Sequence, residues 1–241
     1  MKDIERIHQQ IYSHPEWRAW TKMVDSYTTD DNVEFGIDRG LGHWFNMTTM
    51  APDFVADAGG SKHECLLADI AGLLSCCGLI CGFENYAKNS ARIAQAFLEG
   101  NWGGSHGPLS QDDINIICHA IAHHDTGKDI RNIVDAALCM ADKLDIARNR
   151  VKDPCTPIQE ALVHISSVSY SFTDDGILIL NYNADDAFNA VDFMERWPES
   201  YMIPFKVATF LKKKFAFFLN DSYRVWESNI TPEATSDADW L

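Results

Sequence analysis

Residues 65–77 read CLLADIAGLLSCC, thirteen positions that carry one charge, Asp69. A second run, AALCMADKLD at 136–145, sets Asp142 behind six uncharged residues in the same way. An apolar run of this length forms a buried helix, and a carboxylate inside it costs several kcal/mol unless a cation, a metal ion or a proton meets it. Ser61-Lys62-His63-Glu64, just before the first run, has capping-box spacing, which predicts a helix over 62–82. Leu66 to Phe83 is apolar enough to raise the question of a membrane span, but Asp69, Ser75 and three glycines favour a core helix.

Outward from these runs, helices dominate the pattern. Residues 3–28 read as amphipathic helix, with Pro15 at a helix start. After the polar TTDDN (28–32), a helix is expected near 40–57, and Gly59-Gly60 forms a hinge. Further helices are expected over 84–99, over 111–124 behind Ser110, Asp112 and Asp113, and over 129–149. The pattern then changes: 165–172 and 177–182 read as strands joined by Thr173-Asp174-Asp175-Gly176, a β-hairpin. Helices near 185–196 and 202–219 follow, then an acidic tail from Ser228. The expected class is mainly α: a helical bundle with a small C-terminal α+β subdomain containing a β-hairpin. Its divisions are N-terminal helices (1–35), the helical domain (36–158), the α+β subdomain (159–224) and the tail (225–241).

Composition narrows the function classes. The 241 residues are 46% hydrophobic and 23% charged, an ordinary globular balance. A net charge of −15, from 20 basic and 35 acidic residues, argues against nucleic-acid partners, which need clustered cations. Lys212-Lys213-Lys214 reads as a solvated helix end. Seven cysteines, at 65, 76, 77, 81, 118, 139 and 155, lie mostly in apolar runs and suit a reducing cytoplasm. The polar start MKDIERIHQQ is no signal peptide, and no membrane partner is expected. Trp17 and Trp20 share a helix face and read as core or interface. The glycine-rich 102–107 lacks the Lys-Ser/Thr of a P-loop. Phe215, Phe217 and Phe218 support either a homodimer or the core.

His43, Leu66-Leu67-Ala68-Asp69-Ile70-Ala71, Ser90-Ala91-Arg92-Ile93-Ala94, His123-His124 and Ala141-Asp142-Lys143 follow one another in an order that resembles the HD superfamily of helical metal-dependent phosphohydrolases. The likeness covers about residues 36–155. It implies a metal held by His43, Asp69 and Asp142, with Asp69 also catalytic. It places His123, His124, Lys143 and Arg148 on the side of a phosphorylated small molecule. Ala68 stands where the family's pair has its histidine, and Tyr86 and Asn89 stand where many relatives have another. The implied set of one imidazole and two carboxylates favours Mn, Mg or Fe over Zn and binds weakly.

The expected function is therefore a divergent HD protein with a weakened metal centre that binds a nucleotide-like or phosphorylated ligand. The alternatives are an active phosphohydrolase using the reduced set, and a structural subunit with its pocket collapsed. Blander readings of single residues stand beside these. Asp69 pairs with a lysine or a backbone amide, His43 caps a helix, His123 and His124 end one, and Arg148 pairs with Asp145 on a solvent face. Cys77 and Cys81, one helical turn apart, are either core thiols or a thiolate site for Zn or Cu(I).

Overall fold

The computed structural model describes residues 2–29, 40–103, 108–151, 154 and 156–227. Residues 30–32 of the polar break, residues 104–107 of the glycine-rich loop, Cys155 and the tail from Ser228 lie outside them.

Seven helices come first: α1 (Lys2–Ser13), α2 (Pro15–Thr29), α3 (Leu41–Asp57), α4 (Lys62–Leu74), α5 (Tyr86–Asn101), α6 (Gln111–His123) and α7 (Ile133–Leu144). Short 3-10 turns at Cys77–Cys81 and Arg148–Arg150 follow α4 and α7. Three of the expected starts hold for local chemical reasons. Pro15 opens α2. Ser61 and Glu64 cap α4 reciprocally, and Ser110 does the same with Asp113 on α6. The helix expected over 129–149 is shorter at both ends. Asn132 caps it, accepting from the backbone of Val134 and Asp135, and Asp145 ends it in a non-helical conformation.

The chain is mainly helical, and α7 is its centre. Every α7 residue from Val134 to Leu144 is buried, with α3, α4, α6 and α10 packed around it. α4 buries Leu67, Ala68 and Ile70 to Leu74. The stretch Lys62–Cys81 is long and apolar enough to cross a membrane by composition, yet 67% of its most apolar window lies inside the protein, as in a core helix. Gly72 lets α4 approach α3 closely: a Cβ there would lie 2.9 Å from the Met47 backbone. Trp17 is core, its indole donating to the Leu73 carbonyl (2.8 Å) and its ring stacking on Trp44.

The C-terminal part is α8 (Pro157–Leu162), β1 (Ile165–Phe172), β2 (Ile177–Ala184), α9 (Ala190–Arg196), α10 (Glu199–Phe210), β3 (Lys214–Leu219) and β4 (Tyr223–Glu227). The hairpin is present, β1 antiparallel to β2. It belongs to a four-stranded sheet ordered β1-β2-β3-β4, in which β3 lies parallel to β2. The helix expected over 202–219 is thus corrected: α10 stops at Phe210, Lys212 takes a left-handed conformation (φ 55°), and KFAFFL becomes a strand. Three phenylalanines in six residues favour strand once the helix has turned. Phe215 and Phe217 point into the core, fully buried, so of their two readings the core one describes them. Tyr170 of β1 ties the sheet to the bundle, donating to Asp57 of α3 (2.7 Å).

Candidate metal centre

The first turn of α3 and the last of α7 meet in a buried polar cluster. His43 is carried in by α3, Asp142 and Lys143 by α7, and Asp145 is the residue that ends α7. Asp145 is the organiser. Its Oδ2 lies 2.6 Å from His43 Nδ1, and its Oδ1 accepts from Asn46 Nδ2 at 2.6 Å. The Arg150 guanidinium donates to the Asp145 carbonyl (2.7 Å) and sits 3.2 Å from its carboxylate. An ionised carboxylate only accepts, so His43 carries its proton on Nδ1 and presents a lone pair at Nε2.

That Nε2 is buried and has no hydrogen-bond partner. It faces Asp142 Oδ1 across 3.6 Å, too far for a hydrogen bond. Burial, reinforced by the Arg150 cation and opposed by both carboxylates, pushes His43 down to about 4, so the ring is neutral at pH 7. The other Asp142 oxygen, Oδ2, accepts from Lys143 Nζ at 2.7 Å, and that ammonium lies 5.7 Å from the Trp197 ring centre. Two carboxylates and two cations thus compensate one another, which is the condition for burying any of them.

Two atoms each about 2.1 Å from one ion are separated by roughly the distance between His43 Nε2 and Asp142 Oδ1. The orphaned nitrogen, the facing carboxylate and the carboxylate behind the imidazole fit a small divalent cation, with Asp145 fixing the tautomer from outside. Of the three expected ligands, His43 and Asp142 are the two that face each other.

Asp69 does not join them. Both its oxygens face His8 Nδ1 of α1, at 2.7 and 2.9 Å, so the partner is an imidazole rather than a lysine, an amide or a shared ion. Among the described residues, His43, Asp69 and Asp142 do not gather as a three-ligand group; His119, His123 and Asp129 do.

The expected ligand contacts scatter. His124 is sealed: its Nδ1 donates to the Ile121 carbonyl (2.7 Å) and its Nε2 accepts from the Tyr86 hydroxyl (3.1 Å). Tyr86 therefore serves the core. His123 lies beside His119, the rings tilted by 32° with centres 4.6 Å apart. Lys143 is at the centre, but Arg148 is exposed on the 3-10 turn. The Asp145–Arg148 pair is replaced by Asp145–Arg150, because α7 ends at Leu144 and the chain turns before the arginines. Cys77 is buried and Cys81 exposed on a 3-10 turn, so the two do not share a helical face.

Asn46, Asp145 and Arg150 were not singled out as site residues. The signals present were the i, i+3 spacings His43/Asn46 and Asp142/Asp145, which put each pair on one helix face. The sequence matches no protein-family model and no curated protein.

Proposed function

We propose that this chain is a divergent HD-type protein whose core centre, reduced to His43 and Asp142, holds one divalent cation weakly and through it a phosphorylated or nucleotide-like ligand. The observation that carries the reading is the buried, unpartnered His43 Nε2 aimed at Asp142 Oδ1. An imidazole and a carboxylate suit Mn or Fe and do not by themselves select against Zn. Bound there, the cation supplies Lewis acidity toward a phosphate oxygen, and Lys143 supplies a second positive charge beside it. The buried thiols Cys76, Cys77 and Cys139 suit the reducing cytoplasm in which such a protein works.

A structural subunit is the second reading. The Asp142–Lys143 pair favours it, since that ammonium already neutralises the carboxylate without an ion.

Thermal melting separates the two. Chelator-treated full-length chain is melted alone, with Mn2+, and with Mn2+ plus a nucleoside monophosphate. Ligand binding predicts a Tm rise with Mn2+, a further rise with the nucleotide, and loss of both in His43→Gln. A flat response in the wild type leaves the structural reading.

A further inference from the structure

At the other end of α7, we infer a second metal site, formed by His119, His123 and Asp129 and suited to a borderline transition ion such as Zn2+. It is independent of the His43 centre. Asp135, which anchors it, lies seven residues before Asp142 on α7, roughly 10 Å along the axis.

The site is built from a helix face and a loop. His119 and His123 are four residues apart on α6, so their rings project from one side. Asp129 comes from the loop between α6 and α7, its Oδ2 3.5 Å from His119 Nε2. One donor atom from each of the three residues lies within 4.8 Å of the others, a spacing that a single ion spans.

Behind His119 stands a buried anchor. Its Nδ1 lies 3.0 Å from Asp135 Oδ1, and Asp135 is 1% exposed. The other Asp135 oxygen accepts from the Arg131 and Asn132 amides and the Asn132 side chain. An immobilised carboxylate behind an imidazole fixes the tautomer, leaving the lone pair on Nε2. That nitrogen is buried without a hydrogen-bond partner.

Arg131 pairs with Asp129 and is the competitor for the site. Both side chains are about half exposed or more, and such surface pairs contribute little, so an ion displaces the guanidinium. Two imidazoles and one carboxylate select Zn2+ or a neighbouring borderline ion over Mg2+ or Ca2+. Three protein donors leave a fourth position for water or an anionic group.

The test uses chelator-stripped full-length protein titrated with Co2+ and, by competition with a chromophoric chelator, with Zn2+. One ion per chain beyond any held at His43 and Asp142 is expected, with the intense visible bands of four-coordinate Co2+. Affinity should fall at least about tenfold in His119→Gln, His123→Gln and Asp129→Asn, and stay unchanged in His43→Gln. Asp129→Asn alters an exposed loop side chain, so it reads the site without threatening the fold. No binding by the wild type, binding indifferent to all three changes, or binding lost in His43→Gln would each overturn the proposal.

Discussion

His43 and Asp145 form a 2.6 Å contact that fixes which imidazole nitrogen is left over, and the one left over faces Asp142. The centre is therefore oriented from behind, with Asp145 setting the proton and α7 supplying both carboxylates. Its energetics follow from burial.

Breaking the Asp142–Lys143 pair is costly because it removes a direct counter-charge from a buried group. Asp142→Asn or Lys143→Met alone should destabilise by about 3–5 kcal/mol. The double variant, which buries neither charge, should recover much of that. Urea denaturation of the four proteins measures the coupling, and strict additivity would place the two charges in separate environments.

The pH dependence of the metal-free protein follows from His43. Its folded value, about 4, lies below the ordinary 6.5, so between these values the unfolded chain binds a proton that the folded chain refuses. Stability should fall as pH drops from 6.5 toward 4, by roughly 3 kcal/mol at most from this group. In His43→Gln that part of the slope should vanish. An identical pH slope in wild type and variant would contradict the burial argument.

His8 behaves in the opposite sense. Its hydrogen bond and ion pair with Asp69 raise it above 6.5 despite partial burial, so its contribution is present below 6.5 and lost as pH rises through the raised value. His8→Ala should therefore cost more at pH 5.5 than at pH 9. Protease protection of α1 across that range reads the docking directly.

Gly72 and Gly78 are close-approach positions. A methyl at Gly78 would lie 2.2 Å from the Ser90 amide nitrogen, and one at Gly72 would meet the Met47 backbone. Gly72→Ala should cost about 1–3 kcal/mol and Gly78→Ala at least as much, with melting temperatures falling accordingly.

Helix starts were legible because capping is local: Ser61, Ser110 and Pro15 each carry their own signal. The convergence of His43 with Asp142 was legible only as an order of residues, and it is present. Asp69 stands apart from His43 and Asp142 because its partner, His8, lies 61 positions away in a helix that nothing local in the sequence docks there. Arg150 was missed because where α7 stops depends on how Asp145 is held, a tertiary fact. Strand β3 reads as helix in the sequence because the five residues after Lys214 are all apolar, and burial of Phe215, Ala216 and Phe217 on both faces hides the alternation that marks a half-exposed strand.

The most direct test of the central claim is Mn2+ binding to chelator-treated protein, followed by loss of the free-ion electron paramagnetic resonance signal. About one Mn2+ per chain is expected at the His43 centre, abolished by His43→Gln and by Asp142→Asn and untouched by Asp69→Asn. Mn2+ uptake that ignores His43 and Asp142, or that disappears with Asp69 instead, would contradict it.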